Sequence, residues 1–191
     1  KKNFWINELK KVLSKEDKYG DSNIGKSKKV IIEFVSANPT GPLHIGHCRG
    51  AVYGDLLSNI MKKVGYKVYK EYYVNNTGTQ IDRLTNSVIY RYNELFHKNK
   101  KKIDQNLYPG EYLIDLAKDL KKNYGSKLLE NKKQNIIIIR KFSLKWITEY
   151  IKEDLNLLGV KFDFYYSEEN LLKTNKVSLC IDVLRKKKLI Y

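Results

Sequence analysis

VIIEFVSANPTGPLHIGHCRGAVYGDLLSNIMKKVGYKVYKEYYV, residues 30–74, is the stretch on which the fold turns. It opens with Val30-Ile31-Ile32-Glu33-Phe34-Val35, a short apolar run rich in β-branched side chains that reads as a buried strand. Residues 36–42 carry two of the chain's three prolines and read as a loop. From residue 43 onward Ile45, Ala51, Val52, Leu56, Ile60 and Val64 recur at helical spacing, and Gly65 ends the helix. Residues 68–74 form a second strand. A strand, a crossover helix and another strand predict parallel pairing, hence an α/β fold with a Rossmann-like, doubly wound parallel sheet.

Outside that unit the pattern is mostly helical. Residues 4–13 form an amphipathic helix with Phe4, Trp5, Leu9, Val12 and Leu13 on one side, and residues 15–29 form a polar linker. Helices are predicted at 81–96 and 111–123, between polar breaks at 97–109 and 125–135. A long helix at 136–158 carries Ile139, Phe142, Trp146, Ile147, Tyr150, Ile151, Leu155 and Leu158 on its apolar face, and Gly159 ends it. A strand at 162–166 and a last helix at 177–189 follow. Residues 82–135 therefore read as a helical insertion. Residues 1–29 read as the tail of a preceding domain with its linker.

Composition narrows the function classes. Thirty-seven basic against 21 acidic residues give a net charge of +16, which favours a polyanionic partner such as nucleic acid. Only five of the 37 are arginine, and lysine, asparagine, isoleucine and tyrosine are all plentiful, so part of the excess reflects AT-rich coding. Two cysteines, Cys48 and Cys180, exclude a disulfide framework and a CxxC metal site, and a cytoplasmic location is expected. The longest aliphatic run, residues 136–139, is too short to span a bilayer, so no membrane role is expected. The start at Lys1 and the stop at Tyr191 suggest a piece of a longer protein.

Two motifs invite chemistry. Residues 20–27, GDSNIGKS, fit the P-loop pattern, but a helix precedes them and a strand follows, the reverse of the order that such a loop needs. The second motif is His44-Ile45-Gly46-His47 at the start of a helix, where free N–H groups and the helix dipole favour an anion. The histidines stand three apart, on one face of the first turn. Gly46 leaves room for a ring or a phosphate chain near the backbone. Imidazoles placed there can donate hydrogen bonds to charge developing on a nucleotide triphosphate. No third ligand at useful spacing supports zinc, and adjacent His47 and Cys48 do not face each other as a nucleophile pair.

The same residues carry a resemblance. His44-Ile45-Gly46-His47 is similar to the HIGH signature of class I aminoacyl-tRNA synthetases, and residues 35–47, VSANPTGPLHIGH, resemble the bacterial arginyl type. Further matches are Glu71-Tyr72-Tyr73-Val74-Asn75, then Gly78 and Gln80, Tyr108-Pro109-Gly110-Glu111-Tyr112, residues 158–163 and Ser167-Glu168. The resemblance implies that residues 30–191 are the first part of a Rossmann-like catalytic domain that activates L-arginine with ATP and Mg²⁺ and attaches it to tRNA(Arg). By the same carry-over His44 and His47 are catalytic; His44, Gly46 and His47 bind ATP; Glu33, Ser36 and Asn38 bind arginine. Asn75 and Gln80 shape the pocket, Asp55 is a candidate to orient the helix, and residues 97–102 are candidates to touch the tRNA acceptor stem. Asn76 stands where the family pattern has Asp. No KMSKS-like loop and no anticodon-binding domain lie in this stretch, so both are expected beyond Tyr191. The fragment is expected to be inactive by itself and the full-length protein to be a monomer. The alternative is a non-catalytic RNA- or partner-binding module derived from a synthetase.

Overall fold

A computed structural model describes residues 2–97, 104–130 and 132–191. The order is α1 (Lys2–Lys15), a short 3₁₀ turn (Glu16–Lys18), β1 (Lys29–Glu33), α2 (Ile45–Lys63), β2 (Lys67–Val74), α3 (Thr79–Glu94), α4 (Tyr112–Tyr124), α5 (Lys133–Leu157), β3 (Phe164–Ser167), α6 (Glu168–Lys173) and α7 (Lys176–Lys186). The strands form one sheet in the order β1-β2-β3, with β1 parallel to β2 and β2 parallel to β3. This is the parallel α/β arrangement that residues 30–74 predict.

Alternation along β2 determines where the core lies. Val68, Lys70, Tyr72 and Val74 are buried, while Tyr69, Glu71 and Tyr73 are only partly covered. Tyr72 and Val74 join Ala51 of α2 and Leu84, Val88, Leu116, Ile147 and Ile151 of the later helices in one core. Both crossovers thus pack on the same face, and the described strands hold one winding of the sheet. On the opposite face Ile31 is 65% exposed.

Two contacts fix α2 on the sheet. A Cβ on Gly54 would lie 2.2 Å from the Phe34 ring, so only glycine lets the helix come this close to the end of β1. Lys70 Nζ donates to Asp55 Oδ1 at 2.7 Å, with side chains 10% and 20% exposed, and the Lys70 amide donates to Asp163 Oδ2 at 2.7 Å. Asp55 therefore orients the helix through an ion pair rather than a cap. Val64 closes α2, and Gly65 follows in the left-handed region at φ 90°, as the glycine signal predicts.

Several expectations shift. β1 ends at Glu33 rather than at residue 35, because Val35 and Ser36 take positive φ and leave the ladder. α5 starts three residues early, α7 is displaced from 177–189, and the short helix α6 was not expected. Of the apolar positions that mark α2, Ala51 is buried, beside Gly54 and Ser58, and Val64 is partly covered, whereas Ile45, Val52, Leu56 and Ile60 are exposed. The small residues face the sheet because close packing admits little else. Phe4, Trp5, Leu9, Val12 and Leu13 on α1 are likewise exposed. No described helix is long and apolar enough to cross a membrane.

Removing one partner of a buried ion pair strands the other, at a cost of about 3 kcal/mol. Lys70→Met is expected to lower unfolding stability by that amount in urea titrations, and Asp55→Leu combined with Lys70→Met is expected to lose less than Lys70→Met alone.

Candidate active site

Because the strands are parallel, Glu33, Val74 and Ser167 all end at one edge of the sheet. Ligands of open parallel sheets bind outside that edge. The loop from Phe34 to His44 leaves β1 there through an unusual bend, with Val35 at φ 64° and Ser36 at φ 41°. Left-handed backbone at a β-branched residue costs about 1–3 kcal/mol. The bend is held by Ser36: its amide donates to Phe34 O at 2.9 Å, its hydroxyl donates to Glu33 Oε1 at 2.6 Å, and the Tyr73 amide donates to that hydroxyl at 3.0 Å. Ser36 thus fixes the exposed Glu33 carboxylate at the sheet edge. Asn38 Nδ2 donates to Gln80 Oε1 at 2.8 Å, joining the loop to the first turn of α3.

The histidines are arranged differently from two neighbours within a turn. His44 precedes the helix in extended backbone and caps it. Its Nδ1 accepts from the Gly46 amide at 3.2 Å, and its own amide donates to His47 Nδ1 at 3.2 Å. The rings stack with centroids 3.8 Å apart. An Nδ1 that accepts carries no proton, so each neutral ring holds its proton on Nε2. Capping therefore leaves one Nε2–H donor on each ring at the positive end of a helix dipole. A Cβ on Gly46 would lie 3.0 Å from His44 Cε1, so the glycine makes room for the folded-back ring. Its amide is engaged by that ring, so the Nε2–H groups are the donors left for an anion. Partial burial, and then the neighbouring His44, hold the His47 pKa below its ordinary value.

Negative charge gathers across the edge. Asn75, Thr77, Gly78, Thr79, Gln80 and Glu168 line a cavity of about 300 Å³. Thr77 Oγ1 donates to Glu168 Oε2 at 2.5 Å. Burial, then the charge and hydrogen bond of Glu168, then the charge of Glu33 raise the Tyr73 phenol above its ordinary value. Sequence reading assigned Glu168 no role, although its place directly after a parallel strand was the available signal. Asn76 binds Ser167 Oγ through Nδ2 at 3.1 Å and accepts from the Glu169 amide at 3.0 Å, so its amide fastens β2 to α6. The structure thus brings Glu33 and Ser36 together, Asn38 with Gln80, Asn75 with Gln80, and His44 with His47.

The amides of Ser22, Gly25 and Ser27 donate to Lys63, Val64 and Gly65 carbonyls, so the GDSNIGKS stretch packs on the end of α2 rather than cradling phosphate. His97 is exposed, and Lys98, Lys100, Lys101 and Lys102 lie outside the described residues. A larger groove, about 810 Å³ between α4 and α5, is lined by Tyr124, Phe142, Trp146 and Tyr150 and includes none of the site residues.

A capped helix start with imidazole donors, set at the carboxyl edge of a parallel sheet, places the chain among open α/β proteins with a candidate anion site at that edge. The family model described as tRNA synthetases class I (R), catalytic domain, matches residues 8–191, and the chain belongs to that family. Over 98% of its length it is 50% identical to an arginine–tRNA ligase of Wolbachia pipientis wMel and 47% identical to one of Rickettsia bellii. It spans about a third of the length of these curated relatives, 32% in both cases. A solved structure from Campylobacter jejuni, assigned as an arginyl-tRNA synthetase, superposes with a TM-score of 0.84 at 34% identity, over 98% of this chain and 41% of that one. The Thermus thermophilus arginyl-tRNA synthetase, 18% identical with a TM-score of 0.54 over 83% of this chain and 26% of its own, shares the fold. Ligases among the relatives give no support to a non-catalytic module.

The depressed His47 pKa has a measurable consequence. In an NMR titration of the histidine rings, His47 is expected to change protonation below the ordinary value of about 6.5 and to be neutral at pH 7. Below about pH 6.5 an unfolded His47 binds a proton that the folded one resists, so this residue subtracts from stability as the pH falls.

Proposed function

We propose that this chain is the histidine-bearing portion of an arginine–tRNA ligase, which activates L-arginine with ATP and transfers it to tRNA(Arg). Residues 30–191 then belong to the catalytic domain, with 82–135 as its helical insertion and 1–29 as the tail of a preceding domain. The observation that carries the reading is the reciprocal histidine cap, two Nε2–H donors across the sheet edge from two carboxylates. Anionic ATP and cationic arginine call for hydrogen-bond donors and carboxylates side by side.

In the proposed reaction an arginine carboxylate oxygen attacks the α-phosphorus of ATP and pyrophosphate leaves. A ribose hydroxyl at the 3′ end of tRNA then attacks the arginyl carbonyl and releases AMP. His44 and His47 donate to phosphate oxygens as charge builds on them. Glu33, held by Ser36, and Glu168, held by Thr77, face the positive groups of arginine, for which a carboxylate is the strongest recognition element. Asn38, tied to Gln80, also faces arginine, and Asn75 and Gln80 shape the cavity beside Glu168. The described residues assemble no group of three or more His, Cys, Asp or Glu side chains that could hold a metal. Mg²⁺ would offset charge on the ATP phosphates.

Arginine-dependent ATP–pyrophosphate exchange by the full-length gene product, with tRNA(Arg) present, tests the reading. His47→Ala is expected to lower kcat by about 10² while changing the KM for arginine little. An unchanged rate would remove the role assigned to the histidines.

A further inference from the structure

Resting on the reading above, we propose that Tyr112, at the start of α4, is a positioning residue that braces the histidine-bearing loop from outside the sheet. Its hydroxyl donates to Thr40 O at 2.6 Å, four residues before His44 and 72 residues away in sequence. The ring also touches the loop side-on. A Cβ on Gly41 would lie 3.2 Å from the Tyr112 Cζ and Oη atoms. A Cβ on Gly110 would lie 2.1 Å from Tyr112 Cε1, so glycine is needed there for the ring to lie where it does, and Gly41 leaves the ring a close approach to the loop.

The loop has little internal support. Thr40 N to Asn38 O, at 2.7 Å, is its one recorded backbone bond between residues 37 and 43. Pro39 is fully buried and Leu43 packs against the core, so both ends of the 40–42 tip are anchored. Tyr72 Oη holds Ala37 O at 3.0 Å from β2, and Asn38 is tied to α3. Tyr112 supplies the brace for the tip itself, the part that leads into His44.

A brace must itself be mounted firmly, and this one is. Residues 105–109 are fastened to α3 by Arg83, which donates to Gln105 O and Leu107 O at 3.2 and 3.4 Å. The Tyr108 amide donates to Ser87 Oγ at 2.9 Å, Arg91 donates to Pro109 O at 3.4 Å, and the Arg83 guanidinium lies 4.5 Å from the Tyr108 ring centre. Burial pushes the Tyr112 phenol up to about 12, so it remains a donor across the physiological range.

Tyr112→Phe in the full-length gene product tests the inference, with Tyr92→Phe as control. Tyr92 makes a comparable buried bond, to Gly125 O at 2.5 Å, but touches no part of the loop. Loss of one such bond corresponds to about a tenfold effect. In Tyr112→Phe, amide hydrogen exchange over residues 40–47 is expected to quicken about tenfold, and kcat for arginine-dependent pyrophosphate exchange to fall about tenfold with the KM for arginine unchanged. Tyr92→Phe is expected to leave both at the wild-type level. Unaltered amide exchange over 40–47 in Tyr112→Phe, or an equal loss of kcat in Tyr92→Phe, would overturn the assignment. A wild-type protein without pyrophosphate exchange would instead count against the ligase reading, and amide exchange by itself then decides the role of Tyr112.

Discussion

Parallel pairing of β1 with β2, in a register that sets Val30 beside Val68 and Glu33 beside Glu71, is the constraint on which the site depends. Two strands running the same way cannot be joined by a tight turn. The chain has to cross over, and α2 has to begin near the end at which β1 stops. The positive end of a helix and the last side chain of a strand are thereby brought to one edge. Gly54 against Phe34 sets the distance between helix and sheet, and the Lys70–Asp55 pair sets the helix's rotation. Those two contacts decide which way His44 and His47 face.

Each interaction at the edge serves two ends at once. Ser36 offsets the strain of its own left-handed bend and also fixes Glu33. The histidines satisfy amides that a helix start would leave unpaired, and the same bonds determine which ring nitrogen keeps a proton. Asn76 holds the start of α6, which carries Glu168, against the end of β2. Imidazole donors and carboxylates are thus each held by neighbouring bonds at one edge of the sheet.

Much of this was legible from local patterns. A β-branched run, a proline loop and a helical period bounded by Gly65 define a β-loop-α-β unit wherever they occur, because they report backbone preferences that act over a few residues. Ser36, Asn38, His44 and His47 lie within the motif at residues 35–47, and Glu33 stands two residues ahead of it. Patterns were poorer guides to which surface is covered. The period of Ile45, Ala51, Val52, Leu56, Ile60 and Val64 identified α2 as a helix, yet of these only Ala51 is buried, with Gly54 and Ser58, since contact distance as much as hydrophobicity selects residues there.

By itself, then, the sequence determined the parallel α/β class, the helix that starts at the histidines and the family to which the chain belongs. Those follow from short-range periodicity and from a contiguous signature. Tertiary structure decided what no spacing encodes: that His44 caps rather than joins the helix, that Thr77 holds Glu168, and that Tyr112 reaches Thr40 across 72 residues. The physical reason is that a hydrogen bond or a charge contact between distant segments exists only once the strands have paired and the crossovers have packed.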